Sequence, residues 1–475
     1  MSEPKQPGAR SGWRKFLVMP HTYVLLVMII LLAALLTYVI PAGEFERAED
    51  ANSGRTVVVP GSYEEAEASP FNPLLFPVSI VEGFNDSSDI IFFILIIGGT
   101  FQIIMSTGAI DAVTGRTTSL FSKRSAFVIP AFLALFSVGG FTMGMSTESM
   151  VFVPIGILIA RSLGYDAITG TAMVILGSNI GFTAGLLNPF SVGVAQSIAE
   201  VPLFSGMWLR AIILVLLLII TSLYIIRYAN KVKQDKRNSL VYDLEVEQKQ
   251  PDVEGVAIDS AITGKHMMAI SVFLLGIIVL LWGDSVHEWY ILEISSLFLA
   301  MGIVAGLVSG YGPSRISKEF VKGAKSIVMG ALMIGLARAV IVVLEDGAII
   351  DTIVFYASTV VDTMPGSFQV LGMYFFQVFV NLFITSGSGQ AAITMPIMTP
   401  LGDLLGVTRQ TGVLAFQLGD GFTNLINPTS STLMGALAVS GIAFQKWFRF
   451  FWPLTLIWIV FGGIMVVIAN LIQYQ

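Results

Sequence analysis

The sequence predicts an all-α polytopic membrane protein built from two inverted repeats, each carrying a re-entrant hairpin and a broken transmembrane helix. Three observations carry that prediction. Only 12% of the 475 residues are charged, four apolar regions are interrupted by Gly, Ser, Thr, Asn and Pro, and one set of residues recurs about 240 positions along the chain.

The composition comes first. Soluble domains carry about 25% charged residues, whereas this chain is 55% hydrophobic with a mean hydropathy of +0.80. Its uncharged apolar runs are about 20 residues long, enough to cross a hydrocarbon core of about 30 Å. A net charge of -6, with basic residues scattered through short loops, speaks against nucleic-acid binding. The absence of cysteine excludes disulfides, thiolate metal sites and cysteine nucleophiles. Three histidines outside any metal-ligand spacing leave no metal centre or cofactor to expect.

Uninterrupted candidate spans are Thr22–Ile40, Asp89–Gly108, Trp208–Ile226, Met267–Gly283, Ile291–Ser309, Ser326–Leu344 and Trp447–Leu471. The first follows Lys5, Arg10, Arg14 and Lys15 but is too long for a signal-peptide core, so it reads as an uncleaved span. Residues 1–226 then form the first repeat, with a polar, acidic outer loop at 41–88, a hairpin at 126–160 and a broken helix at 168–198. Residues 227–265 are a cytoplasmic linker, read as a tether, and 266–290 a linking span. Residues 291–475 form the second repeat, with its hairpin at 368–400 and its broken helix at 411–440. In the first hairpin, Ala126–Ser137 and Met150–Ala160 flank a run of Gly, Ser and Thr, and each flank is too short to cross. With both hairpins non-crossing, 21 basic residues fall on the cytoplasmic side and Arg47, Arg55, Arg210 and Arg409 outside. That split satisfies the positive-inside rule and places the N-terminus in the cytoplasm. Arg338 lies within a span, where an ion pair with Glu345 or Asp346 would satisfy it.

The repeat is positional. Pro154 matches Pro396, Gly164 matches Gly406, and Thr169, Gly170 and Gly177 match Thr411, Gly412 and Gly419. Gly181-Phe182-Thr183 matches Gly421-Phe422-Thr423, and Asn188-Pro189 matches Asn427-Pro428, followed by Ser191 with Ser430 and Trp208 with Trp447. Chance apolar similarity would match Leu and Val rather than Gly, Asn, Pro and Trp in order. The odd linking span inverts the second copy. Inverted repeats with broken helices mark secondary transporters, whose site lies where the breaks meet.

Each half offers a hairpin tip, Gly140–Ser149 or Thr385–Gln390, and a break, Gly177–Asn188 or Gly419–Asn427. Unwound backbone in a membrane must face protein, water or solute. Half-helix N-termini favour carboxylates, and freed carbonyls favour Na⁺ or protons, the two coupling ions to expect. Ser178, Asn179, Thr183 and Asn188, with Thr423, Asn424, Asn427, Thr429 and Ser430, supply a neutral polar lining. Glu148 at the first tip and Asp420 in the second break are the ionisable candidates, with the neutral Gln390 and Ser178 at the matching positions. Buried carboxylates are costly and mark ion or substrate paths, though either could equally serve a structural hydrogen bond. No Walker A lysine motif, nucleophile elbow or nucleotide-binding half is present.

The runs IPAGEFER (Ile40–Arg47), RTVVVPGSY (Arg55–Tyr63), DIIFFILIIGG through TGAID (Asp89–Asp111) and GFTNLINPTS (Gly421–Ser430) resemble the YfcC branch of the DcuC-type carriers. That resemblance covers nearly the whole chain. It implies membership of the ion transporter superfamily, an elevator-type carrier, a homodimer and an inner-membrane location. It also implies a polar site at Thr142, Ser146, Asn179, Asn188, Ser386, Ser388, Asn424 and Asn427. The solute it implies is either a C4-dicarboxylate or, for this branch, a basic amino acid exchanged as arginine against ornithine. The tips and breaks hold no Lys or Arg but do hold Glu148 and Asp420, which leans toward a cationic or zwitterionic solute. Two other classes compete. An intramembrane hydrolase would need a dyad at membrane depth, whereas His21, His266 and His287 all fall at span ends. A channel needs no paired hairpins closing over a site.

Overall fold

The computed structural model describes residues 22–49, 56–67, 70–109, 125–247, 263–287, 289, 291–364 and 366–475. Lys5, Arg10, Arg14, Lys15, Arg55, Arg116, Lys123, Arg124 and Lys249, all used in the orientation argument, lie outside the described residues. The chain is almost wholly helical. In the first half, α1 is Thr22–Leu36, α2 Phe76–Asp86, α3 Ser88–Ser106, α4 Ser125–Met143, α5 Val153–Ser162, α6 Ala167–Ala184, α7 Val194–Ile198 and α8 Met207–Gln234. After α9 (Tyr242–Glu247) come α10 Gly264–His287, α11 Ile291–Val308, α12 Pro313–Asp346, α13 Ile350–Asp362 and α14 Gly366–Val380. The last four are α15 Gly387–Leu404, α16 Arg409–Thr423, α17 Ser431–Ser440 and α18 Phe444–Leu471.

Among the described residues, five helices are long and apolar enough to cross a membrane: α3, α6 continued through α7, α8, α11 and α18, with the bent α12 a sixth. Burial separates them. The α6–α7 segment is 89% buried, while α8, α11 and α18 are each 44% buried. Exposed Ile212, Val215, Ile219 and Leu223 on α8, with Val460 and Ile464 on α18, are the lipid-facing sides.

The helices pack in two groups. In one, α1, α2, α3 and α11 gather on α12, and α10 packs on α11. In the other, α4, α5 and α8 surround α6, while α14, α15 and α18 surround α16. The two central helices touch each other, and α17 reaches from the second group onto α12. Without a hydrophobic drive between helices in lipid, small residues set the close approaches. A Cβ on Gly140 would strike the Ser178 carbonyl, and one on Gly181 would strike the Ser137 carbonyl, so α4 and α6 meet backbone to backbone. Gly98 and Gly323 do the same for α3 and α12.

Several boundaries differ from the sequence reading. The first hairpin's leading arm is 19 residues, because Gly139 and Gly140 stay helical and serve packing rather than unwinding. α6 likewise runs unbroken through Gly177, Ser178 and Asn179, and its break is only residues 185–188. The outer loop is more than a solvated cap. Of its antiparallel pairs, Arg47–Glu49 with Thr56–Val58 packs on α15, and Gly43–Glu44 with Glu64–Glu65 docks on α13. There Arg47 forks onto Asp351 at 2.8 and 3.0 Å and Tyr63 stacks on Phe355 at 4.1 Å. The linker also begins as structure. Arg161 binds Glu245 of α9 at 3.0 Å, and Ser239 and Tyr228 both donate to the buried Asp166 at 2.6 Å. Arg338 meets Glu345 at 3.6 Å, but its closer partner is Asp86 at 3.1 Å on α2.

Candidate functional site

Each tip and break is held by side chains that replace lost helical hydrogen bonds. At the first tip, Gly144 turns the chain at φ +66°, and the Ser146 N–H donates to Glu148 Oε2 at 3.0 Å above a 3₁₀ turn at Thr147–Phe152. In the first break, Asn188 Oδ1 accepts from Phe190 N–H at 2.9 Å and Ser191 N–H at 3.3 Å, capping the segment that opens at Pro189. Asn427 holds the turn before Pro428 in a similar way, accepting from Thr429 N–H at 3.2 Å and Thr429 Oγ1 at 2.8 Å, and Ser430 then caps α17. Proline after asparagine therefore marks a break twice.

The second hairpin turns at residues 381–386. Asn381 donates to the Asp420 carbonyl at 2.6 Å, and Asn427 donates to the Asn381 and Leu382 carbonyls at 3.1 Å, pinning the turn to α16 and its break. Ser386 then caps α15 by accepting from Gly389 N–H at 3.3 Å. Contacts between the halves are reciprocal. The first tip leans on α17, where Thr147 and Thr432 share a 3.0 Å hydrogen bond, and α15 leans on the Pro189–Gly193 segment and α7.

Between the two tips lies a cavity of about 470 Å³. Glu148 and Ser146 line it from the first tip, and Thr385, Ser386, Gly387 and Ser388 from the second. Phe182, Phe190, Asn424, Ser430 and Thr432 line it from the broken segments, and Trp289 closes one side. Among the described residues, Glu148 is the one carboxylate on its lining, and no lysine or arginine is on it. Among the described residues, no group of three or more His, Asp and Glu side chains could hold a metal ion.

A sequence model of the C4-dicarboxylate anaerobic carrier family, DcuC, matches residues 19–471. The chain belongs to the DcuC family. It is 32% identical to the putative basic amino acid antiporter YfcC of Escherichia coli over 96% of this chain and 97% of that one. It is 31% identical to an uncharacterized protein of Haemophilus influenzae over 87% of this chain and 82% of that one. Among solved structures, the YdaH transporter of Alcanivorax borkumensis aligns over 96% of this chain and 99% of its own, at 15% identity and a TM-score of 0.41. This DcuC-family chain is a multi-pass membrane transporter and not an enzyme.

Of the residues singled out in the sequence, Ser146, Glu148, Ser386, Ser388, Asn424 and Ser430 line the cavity of this DcuC-family chain. The others stand outside its lining, in hydrogen bonds or in the core. Thr142 donates to Val138 in its own helix, and Ser178 donates to the Met145 carbonyl. Asn179 donates to the Gly421 carbonyl at 2.9 Å, stitching α6 to α16. Gln390 donates to Gln377, Thr423 to the Gly419 carbonyl, Asn188 is a cap and Asn427 holds a turn. Asp420 is wholly buried within α16. Trp289 and Phe190 were missed. Phe190 follows the Asn-Pro mark and was legible there, whereas Trp289 carries no sequence signal because it comes from the α10–α11 connection.

Proposed function

We propose that this transporter is a secondary active carrier that works by alternating access on a small amino acid with a cationic side chain, of the arginine and ornithine class. One observation carries the reading: the cavity has an acidic end and a helix N-terminal end, with no cationic side chain on its lining among the described residues. Glu148 would receive the guanidinium or ammonium group, with the Trp289, Phe182 and Phe190 rings beside it. The first turn of α15, behind Ser386, would receive the α-carboxylate. The 32% identity to a basic amino acid antiporter supports the same class.

We read the two halves as inverted repeats and the two helix groups as the scaffold and moving body of an elevator, in a homodimer with a cytoplasmic N-terminus in the inner membrane. The positional repeat of Gly, Asn and Pro and the reciprocal contacts of the tips support this. A C4-dicarboxylate is the second reading, favoured by the family description and by the same α15 N-terminus.

Uptake of labelled arginine and labelled succinate into proteoliposomes decides between them. Arginine entering faster against internal ornithine establishes the exchanger. Succinate entering instead transfers the cavity to dicarboxylates.

A further inference from the structure

We propose that Asp420 is a proton-binding site behind the first turn of α15, and that its protonation is linked to the arrival of a solute carboxylate on the front of that turn. This deepens the proposed function and rests on its reading that α15 faces the transported solute.

Asp420 has no exposed surface, and neither of its carboxylate oxygens has a hydrogen-bond partner. The carboxylate is aimed at hairpin two. A Cβ on Gly387 would stand 3.2 Å from Asp420 Oδ2, and equally 3.2 Å from the Phe182 ring and the Ser191 Cβ. Gly387, flanked by Ser386 and Ser388, also lines the solute cavity. One helix N-terminus therefore has two faces, with a buried acid behind and the cavity in front.

An ionised carboxylate removed from water and left without hydrogen bonds is costly, and the positive end of α15 is what offsets that cost here. A solute carboxylate on the front face draws on the same partial charges and repels the charge behind. Taking up one proton, Asp420–COO⁻ becoming Asp420–COOH, removes the repulsion, and the proton leaves when the solute does. A hard cation needs a shell of oxygen ligands. A proton needs no such shell.

Among the described residues, no other titratable group competes from the elements packed on α16. On α14 the Tyr374 hydroxyl donates to the Ile459 carbonyl, and on α15 Asp403 sits about 24 Å along the helix, paired with Arg409 at the start of α16. On α18, Lys446 pairs with Asp243 and Arg449 lies in the opening turns, while α6, α7 and the Pro189–Gly193 segment carry none. Glu148 faces from across the cavity.

The test uses the full chain in lipid nanodiscs, as wild type and as Asp420→Asn. Infrared difference spectra report the carbonyl stretch of a protonated carboxyl. The wild type should show such a band growing on addition of L-arginine, and Asp420→Asn should lack it. L-arginine affinity should rise by about tenfold per unit fall in pH across the titration of Asp420 in the wild type, and stay flat in the variant. A band or a pH slope that survives in Asp420→Asn overturns the proposal. If L-arginine fails to bind while the band titrates in wild type and vanishes in Asp420→Asn, the proton site stands and the arginine reading falls. Should Asp420→Asn not fold, Gly387→Ala sets a methyl against Oδ2 and should shift the band; an unshifted band overturns the proposal.

Discussion

The two hairpin tips hold matching places in the chain but present opposite chemistry. The first ends in a 3₁₀ turn that carries Glu148 into the cavity, and the second ends in the capped N-terminus of α15, a partial positive charge without any basic side chain. Their arms differ as well. The first arm meets α6 through Gly140 and Gly181, each facing a backbone carbonyl of the other helix, whereas α14 meets α16 at Gly419, where an added Cβ would stand 2.5 Å from the Gln377 Cβ and 3.0 Å from the Val378 nitrogen. On the proposed function, the two copies of a repeat would keep their positions while dividing a solute between them, one taking the cation and the other the anion. That polarity is what a zwitterion with a charged side chain needs.

The largest effect should come from breaking the tight arm. Gly140→Val places side-chain atoms inside the Ser178 carbonyl, and nothing on that wall can move except the α6 backbone. The loss should reach about 3 kcal/mol or more, read as a collapse of the thermal transition in detergent. Leu382→Val at the matching position of the second hairpin, where the side chain is exposed, should change stability by less than about 0.5 kcal/mol. Equal losses at both sites would mean that the arms are mechanically alike.

This contrast also shows what the sequence could and could not disclose. The Asn188-Pro189 and Asn427-Pro428 pairs were legible because an Asn before a proline marks a break, and Asn188 caps the segment at Pro189 while Asn427 holds a turn ahead of the Ser430 cap of α17. The glycines were not. A glycine that lets a chain turn and a glycine that lets two backbones touch are the same letter. Gly144 does the first and Gly140 and Gly181 do the second, so the predicted unwinding at Gly177–Asn179 is intact helix. The depth of Asp420 was hidden for a related reason: what lies against its carboxylate is Gly387, far away in sequence. Trp289 was hidden more completely, since its place depends on how one helix group sits against the other.

The next effect is at the acidic end. Glu148→Gln keeps the shape and the Ser146 N–H bond while removing the charge. A hydrogen bond to a charged partner contributes about 1.5–3 kcal/mol, so arginine affinity should fall by about 10- to 100-fold. Citrulline, which has the same outline without the guanidinium charge, should lose nothing. If citrulline and arginine weaken together, Glu148 shapes the tip and does not read the solute.

The smallest effect separates the two ends most sharply. Ser386→Ala removes the α15 cap, at a cost of about 1 kcal/mol to that helix terminus. Arginine affinity should then fall by about fivefold, because the first turn that would receive its carboxylate loses order. Agmatine, arginine without the carboxylate, has nothing to place there and should bind the variant and the wild type alike, while remaining fully sensitive to Glu148→Gln. A double-mutant cycle with both ligands makes the division quantitative. Arginine should respond to both substitutions, agmatine to the first hairpin only, and succinate, if it enters at all, to the second only. An agmatine affinity that falls with Ser386→Ala would place the cation near α15 and reverse the assignment of the two tips.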